Sequence, residues 1–130
     1  MPTITPQALR DFVAATFAAA DVPQADAEAV AAHLVEANLK GHDSHGVVRV
    51  IWYLQAVKDG LTKPGAPITI EKESATTAMI DGGWNFGQIV AREAMAMAVT
   101  KAQQSGVGIV VARQSSHVGR VGAYAEQAAA

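Results

Sequence analysis

Gly41-His42-Asp43-Ser44-His45-Gly46-Val47-Val48-Arg49 puts two histidines, a serine, an aspartate and an arginine into nine residues. The stretch lies where one segment of helical periodicity ends and another begins, so its reading sets how the front of the chain folds. Gly41 is a plausible helix stop, and Asp43 or Ser44 can cap the helix that follows. The free amides of such a helix start also favour an anion. Imidazole moves protons near neutral pH, and guanidinium grips a carboxylate at two points. A histidine followed by an arginine about one helical turn later suits a substrate that needs a proton and carries an acid group to be anchored.

Upstream, Thr5-Pro6 opens a first helix with a capping hydroxyl and a proline at the first helical position. Ile4 and Leu9 are spaced as a hydrophobic staple. Leu9, Phe12, Val13, Phe17 and Ala20 recur at helical spacing until Asp21-Val22-Pro23 breaks the run. A second helix carries Ala27, Val30, Ala31, Leu34 and Asn38 on one face. Downstream, a third helix is expected from near Ser44 to Gly60. At about 100° per residue, Val47, Val50, Ile51, Leu54 and Val57 gather on one side. His45, Arg49 and Trp52 fall within roughly 60° of each other on the opposite side. The pattern buries one stripe and presents His45 with Arg49 on the other.

The texture then changes. Leu61-Thr62-Lys63-Pro64-Gly65-Ala66-Pro67 is a turn-rich connector and the expected boundary between a helical subdomain, residues 1–63, and an α/β unit, residues 64–130. Ile68–Glu71 and Thr77–Ile80 read as strands. A loop from Asp81 to Gly87 precedes a long helix, about Gln88 to Gln104, which Ser105-Gly106 ends. Gly108–Arg113 reads as a short apolar strand of the buried kind. A polar loop, Gln114–Gly119, leads into a helix from Val121 that has barely begun at Ala130. The chain therefore reads as the front part of a longer protein.

Composition narrows the function. The chain has 130 residues, 50% hydrophobic and 17% charged, enough for a core and unlike a disordered segment. A net charge of -2 gives no basic footprint for nucleic acid. No apolar run reaches membrane-spanning length, and Met1-Pro2-Thr3-Ile4-Thr5 lacks the composition of a leader. The absence of cysteine removes disulfides and thiolate metal sites and fits a reducing compartment. A cytoplasmic location is the expectation.

Other motifs leave alternatives open. His42 and His45 form H-x-x-H with Asp43 between them, which admits a metal-dependent hydrolase with His117 as a further ligand. The pair spans a helix boundary and lacks the glutamate of H-E-x-x-H, so no metal is expected. His117 sits in a strand-to-helix loop, the kind that hosts ligands in α/β folds. His33 lies inside the second helix with no partner in sight and reads as structural or exposed. Gly82-Gly83-Trp84-Asn85-Phe86-Gly87 fails the dinucleotide fingerprint because Trp84 stands at its second glycine, and it is either a plain flexible loop before a helix or a cofactor or substrate contact. A non-catalytic helical interaction module, or an inactive fragment, is the remaining alternative.

Taken together, Gly41-His42-Asp43-Ser44-His45-Gly46 with Arg49 and Tyr53, then Gly60 and Pro64, resembles the malate/L-lactate dehydrogenase family that is unrelated to the Rossmann-type lactate dehydrogenases. Asp81-Gly82 with Gly87-Gln88, and Ser116-His117-Val118-Gly119-Arg120 with Gly122 and Tyr124, look like later blocks of that family in the same order. The resemblance implies a non-Rossmann α/β fold. Residues 1–63 would be its substrate-side helical part, and residues 64–130 the start of its nicotinamide-cofactor domain. It further implies a cytoplasmic homodimer that uses NAD or NADP on a small anionic 2-oxo acid, 2-hydroxy acid or cyclic imino acid. By resemblance His45 would donate a proton with Ser44 beside it, and His117 competes for that role. Arg49 and Tyr53 would bind the substrate, and Ser116, Gly119 and Arg120 would touch the cofactor.

Overall fold

Thr5 Oγ1 accepts the Ala8 N–H at 3.2 Å, and Pro6 takes the first helical position, so helix α1 (Pro6–Ala18) starts where its cap dictates. The computed structural model describes residues 3–130. Met1 and Pro2, the head of the stretch read as unlike a leader, lie outside the described residues. Asp21, at φ 60°, turns the chain into α2 (Gln24–Leu39). Gly41, at φ 76°, ends α2. Behind it the His42 N–H bonds the Ala37 carbonyl at 2.8 Å and the Gly41 N–H bonds the Asn38 carbonyl at 2.9 Å. That pairing satisfies carbonyls the helix end would leave open, and only the left-handed residue permits it.

The expected third helix does not begin at Ser44. Two 3₁₀ turns, Asp43–His45 and Val47–Arg49, come first, separated by an extended Gly46, and α3 covers only Val50–Lys58. The stripe shifts accordingly. Val47, Val50, Leu54 and Val57 do pack on the core, but Ile51 is 77% exposed and Tyr53, at 7%, is buried. Phe12 also departs from expectation: it is 67% exposed on α1. Ile4 is exposed as well, so the staple with Leu9 encloses little.

The core joins Val13 and Phe17 of α1, Val30, Ala31 and Leu34 of α2, Tyr53 of α3 and Phe86. Phe17 meets Phe86 edge-on, ring centroids 5.7 Å apart, and Tyr53 at 6.5 Å. Full burial of such side chains contributes roughly 1.5–3 kcal/mol each. The helical layer is thereby welded to the start of α4 (Gly87–Ser105).

Among the described residues the sheet has the order β1-β2-β3. Strands β1 (Thr69–Glu73) and β2 (Thr77–Asp81) form an antiparallel pair; β2 and β3 (Ile109–Arg113) run parallel, with α4 as the crossover. Ala78 and Ile80 of β2 face α4 and are buried. The reading of β3 as a buried strand is corrected: Ile109 is 56% and Val111 52% exposed. Among the described residues β3 is an edge strand, and α4 covers one face of the sheet. Helix α5 (Gly122–Ala129) closes the chain against α4.

Candidate active site

Asn38, in the last turn of α2, organises the first half of the site. Its side-chain carbonyl accepts the Val47 N–H at 2.8 Å, and its amide donates to Asp43 at 2.6 Å. Gly46 lies so close that a Cβ there would overlap the Asn38 amide. The captured Val47 N–H is one that a helix starting at Ser44 would need, which is why α3 starts late. Within this tight turn Ser44 Oγ lies 2.9 Å from His45 Nδ1, and Arg49 Nε donates to the Ser44 carbonyl at 2.6 Å. His45 and Arg49 both lean on Ser44.

The second half comes from the ends of the parallel strands. Gly82 N–H bonds the Arg113 carbonyl at 2.9 Å, Trp84 N–H the Gln114 carbonyl at 2.7 Å, and Ser116 N–H the Asn85 carbonyl at 3.2 Å. These bonds strap the two loops together past the strand ends. Trp84 and Gln114 face each other with φ of 62° and 50°, left-handed values that cost a non-glycine residue of order 1–3 kcal/mol. A Cβ on Gly87 would overlap the carbonyls of Ser116 and His117, so glycine at the head of α4 lets the second loop cross it.

The crossing brings His117 onto His45, rings stacked with centroids 5.6 Å apart and 27° between planes. The Tyr53 hydroxyl lies 2.8 Å from His117 Nδ1, which also accepts the Gly119 N–H at 3.3 Å. Beneath them Gln88 Nε2 donates to the Tyr53 hydroxyl at 2.7 Å. Burial first, then the Arg49 charge and His45, lowers the pKa of His117. Burial pushes the Tyr53 hydroxyl up, so it keeps its proton. Beside His117 opens a groove of about 490 Å³ lined by Gly60, Leu61, Thr62, Lys63, Trp84 and Ser116. Thr62 Oγ1 and Ser116 Oγ are 2.8 Å apart on its wall.

The structure thus gathers Ser44, His45, Arg49, Tyr53 and His117 into one place. Tyr53 sits under His117, its hydroxyl already engaged. Ser116 lines the groove, whereas Gly119 packs against His33 and the buried Arg120 holds Glu126 through two bonds of 3.0 and 2.7 Å. Arg120 and then Lys40 draw the Glu126 carboxyl down to about 2. His42 is exposed, its Nδ1 3.4 Å from the Lys40 carbonyl. Among the described residues no three histidine or acidic side chains converge as a metal set.

His33 is not the partnerless residue the sequence suggests. Its Nε2 accepts the Arg120 N–H at 2.9 Å, and its ring stacks on Tyr124 at 5.8 Å. Burial, then Arg120, lowers its pKa. Asn38 and Thr62 are not among the site residues expected from the sequence, and Gln88 and Trp84 enter there only within the Gly87-Gln88 block and the Gly82–Gly87 loop. Asn38 left a trace, a polar residue on an otherwise apolar face of α2. Gln88 stands in the Gly87-Gln88 block that the resemblance picks out, but nothing in the sequence shows its partner, which is 35 residues away.

The family described as malate/L-lactate dehydrogenase matches residues 4–130. Hydroxycarboxylate dehydrogenase B of Escherichia coli O157:H7 is 40% identical over 124 residues, 95% of this chain and 34% of that protein. L-sulfolactate dehydrogenase of Methanocaldococcus jannaschii is 45% identical over 107 residues, 82% of this chain and 31% of that protein. The structure of malate dehydrogenase from Pyrococcus horikoshii OT3 superposes with a TM-score of 0.93 at 36% identity, covering 97% of this chain and 36% of that one. The chain spans about a third of the length of the curated relatives it matches.

Proposed function

This chain belongs to the malate/L-lactate dehydrogenase family, and we propose that its residues serve hydride exchange between NAD or NADP and a small 2-hydroxy or 2-oxo acid, or a cyclic imino acid. The observation that carries the reading is the stacked pair His45 and His117, with Arg49 anchored at Ser44, beside an open groove. The relatives are named for hydroxycarboxylate, sulfolactate and malate dehydrogenation. Residues 1–63 are the substrate side and residues 64–130 begin the cofactor side.

The groove suits its guests. The Trp84 indole and Leu61 offer apolar walls, while Thr62 and Ser116 offer hydroxyls, a combination fitted to a flat aromatic amide. A reduced nicotinamide, when bound, supplies the hydride. As the C2–H bond forms, the carbonyl π pair moves onto oxygen, and that oxygen takes a proton from the His45 imidazolium, leaving the ring neutral. A positioned cation there both offsets the developing charge and delivers the proton. Arg49 holds the substrate carboxylate, and His45, its Nδ1 set against Ser44 Oγ, is the donor on this reading. A metal-dependent hydrolase has no support from the geometry, since among the described residues His42 does not join the pair in a metal-binding group.

On the same reading the enzyme is a cytoplasmic homodimer, which sedimentation of the complete protein would check; no helix of the described residues is long and apolar enough to cross a membrane. The test of function is steady-state turnover with NADH and NADPH against a panel of 2-oxo acids and cyclic imines. Turnover of one class is the expected result. Folded protein that turns over none of them overturns the proposal.

A further inference from the structure

We propose that Tyr53 and Gln88 are positioning residues that hold His117 in its Nε2–H tautomer, so that the ring offers the groove a hydrogen-bond donor and not a base. One group here has a direction beyond choice. A backbone N–H can only donate, and Gly119 N–H points at His117 Nδ1. Nδ1 therefore carries the lone pair, and the proton of the neutral ring sits on Nε2.

Tyr53 adds the stronger contact to the same nitrogen, 2.8 Å against 3.3 Å. A phenol has one proton and can spend it once. Gln88, buried, donates its amide N–H to the Tyr53 oxygen, so the phenol proton is free to point at Nδ1. Turning the Gln88 amide over would take that proton for Oε1. The Tyr53 oxygen and Nδ1 would then meet lone pair to lone pair, or Nδ1 would need a proton aimed at the Gly119 amide. The observed orientation avoids both and leaves Gln88 Oε1 without a partner among the described residues. Burial keeps Tyr53 protonated, which the chain of donors requires.

His45 stacks on the His117 ring, the Arg49 charge acts on it, Lys63 shares its groove and His33 holds the amide two residues beyond Val118. None of these supplies an acceptor to Nδ1 that would favour the other tautomer. His117 is among the residues that line the groove, and Nε2–H is the one donor its ring has left to offer there. Resting on the 2-oxo acid reading above, the consequence is a division of labour. His117 Nε2–H holds the substrate's C2 oxygen and remains neutral, while His45 gives up the proton.

The test is long-range proton–nitrogen correlation spectroscopy on protein with nitrogen-15 in its histidines, the His117 signals assigned by their loss in His117→Gln. His117 is expected to show the Nε2–H pattern. Tyr53→Phe should shift its two ring nitrogens toward a tautomer mixture without moving those of His33, and Gln88→Met should do the same more weakly. Gln88→Met decides the matter alone if Tyr53→Phe does not fold. An Nδ1–H pattern in the unmutated protein, or a tautomer ratio indifferent to the variants, overturns the proposal. In a preparation that turns over a 2-oxo acid, Tyr53→Phe should lower kcat about fivefold to tenfold, the scale of one hydrogen bond, with KM little changed. If the tautomer is found but no 2-oxo acid is reduced, the functional reading fails and this assignment stands. Turnover with His117 as Nδ1–H does the reverse.

Discussion

Gly119 and Arg120 are neighbours, yet their amides grip two histidines in different regions of the molecule by different nitrogens. On the α2 side Arg120 N–H meets His33 at Nε2; on the groove side Gly119 N–H meets His117 at Nδ1. His33 is stacked on Tyr124 and lines a smaller hollow of about 260 Å³ that no second histidine faces among the described residues. His117 is exposed, stacked on a second histidine and open to a cavity of about 490 Å³. The same side chain is a bolt in one region and a tool in the other. What separates them is the surroundings of the second nitrogen, since both rings are lowered in pKa by burial first.

Substitutions at the groove should do the most damage. Arg49→Ala and His45→Ala should each lower kcat/KM by roughly 10²–10⁴ in a preparation competent for turnover, the usual range for lost acid–base and anchoring groups, while the melting temperature barely moves. His33→Ala should do far less to turnover. Equal losses at His33 and His45 would erase the distinction between bolt and tool.

Gly87→Ala probes the crossing that joins the regions. Its Cβ must push aside the Ser116 and His117 carbonyls, which should cost about 1–3 kcal/mol in denaturant unfolding and displace His117 as well. His33→Ala leaves the Arg120 amide without its acceptor and should cost about 1–3 kcal/mol. A stability change within noise would show that the loop holds itself.

Acid should sharpen the contrast further. Both rings have folded pKa values below the ordinary 6.5, so in mild acid the unfolded chain binds more protons than the folded one. Their stabilising contribution is complete above that value and is lost as pH falls through the lowered ones. The urea midpoint should therefore drop on the acid side, and His33→Ala should flatten the drop. A midpoint that rises on acidification would refute the sign. The smallest effect is expected from Thr62→Val, about 1 kcal/mol at most, for one hydroxyl pair on the groove wall.

Much of the architecture was legible because its causes are local. Thr5 and Pro6 start α1, Gly41 stops α2, and Gly60 stops α3 with its own left-handed turn. Elsewhere periodicity misled. Asn38 reaches nine residues forward to take the Val47 N–H, so the helix expected from Ser44 opens as two turns. That unwinding rotates the face of α3: Tyr53, not Ile51, enters the core, where its ring meets Phe17 and Phe86 and its hydroxyl finds polar company. β3 has the composition of a central strand but lies at the sheet edge, with one face uncovered among the described residues. Composition reports what a strand could bury, not what stands opposite it.

Residue order was enough for the short-range facts: caps, stops, the alternation of helices and strands, and the presence of imidazole and guanidinium at one junction. Their causes act within a turn or two of the backbone. Which nitrogen of which histidine carries a proton is settled otherwise, by Tyr53 acting on His117 across 64 residues and Arg120 on His33 across 87. A ring is protonated according to the donors that reach it, and those donors are assembled only when distant segments pack.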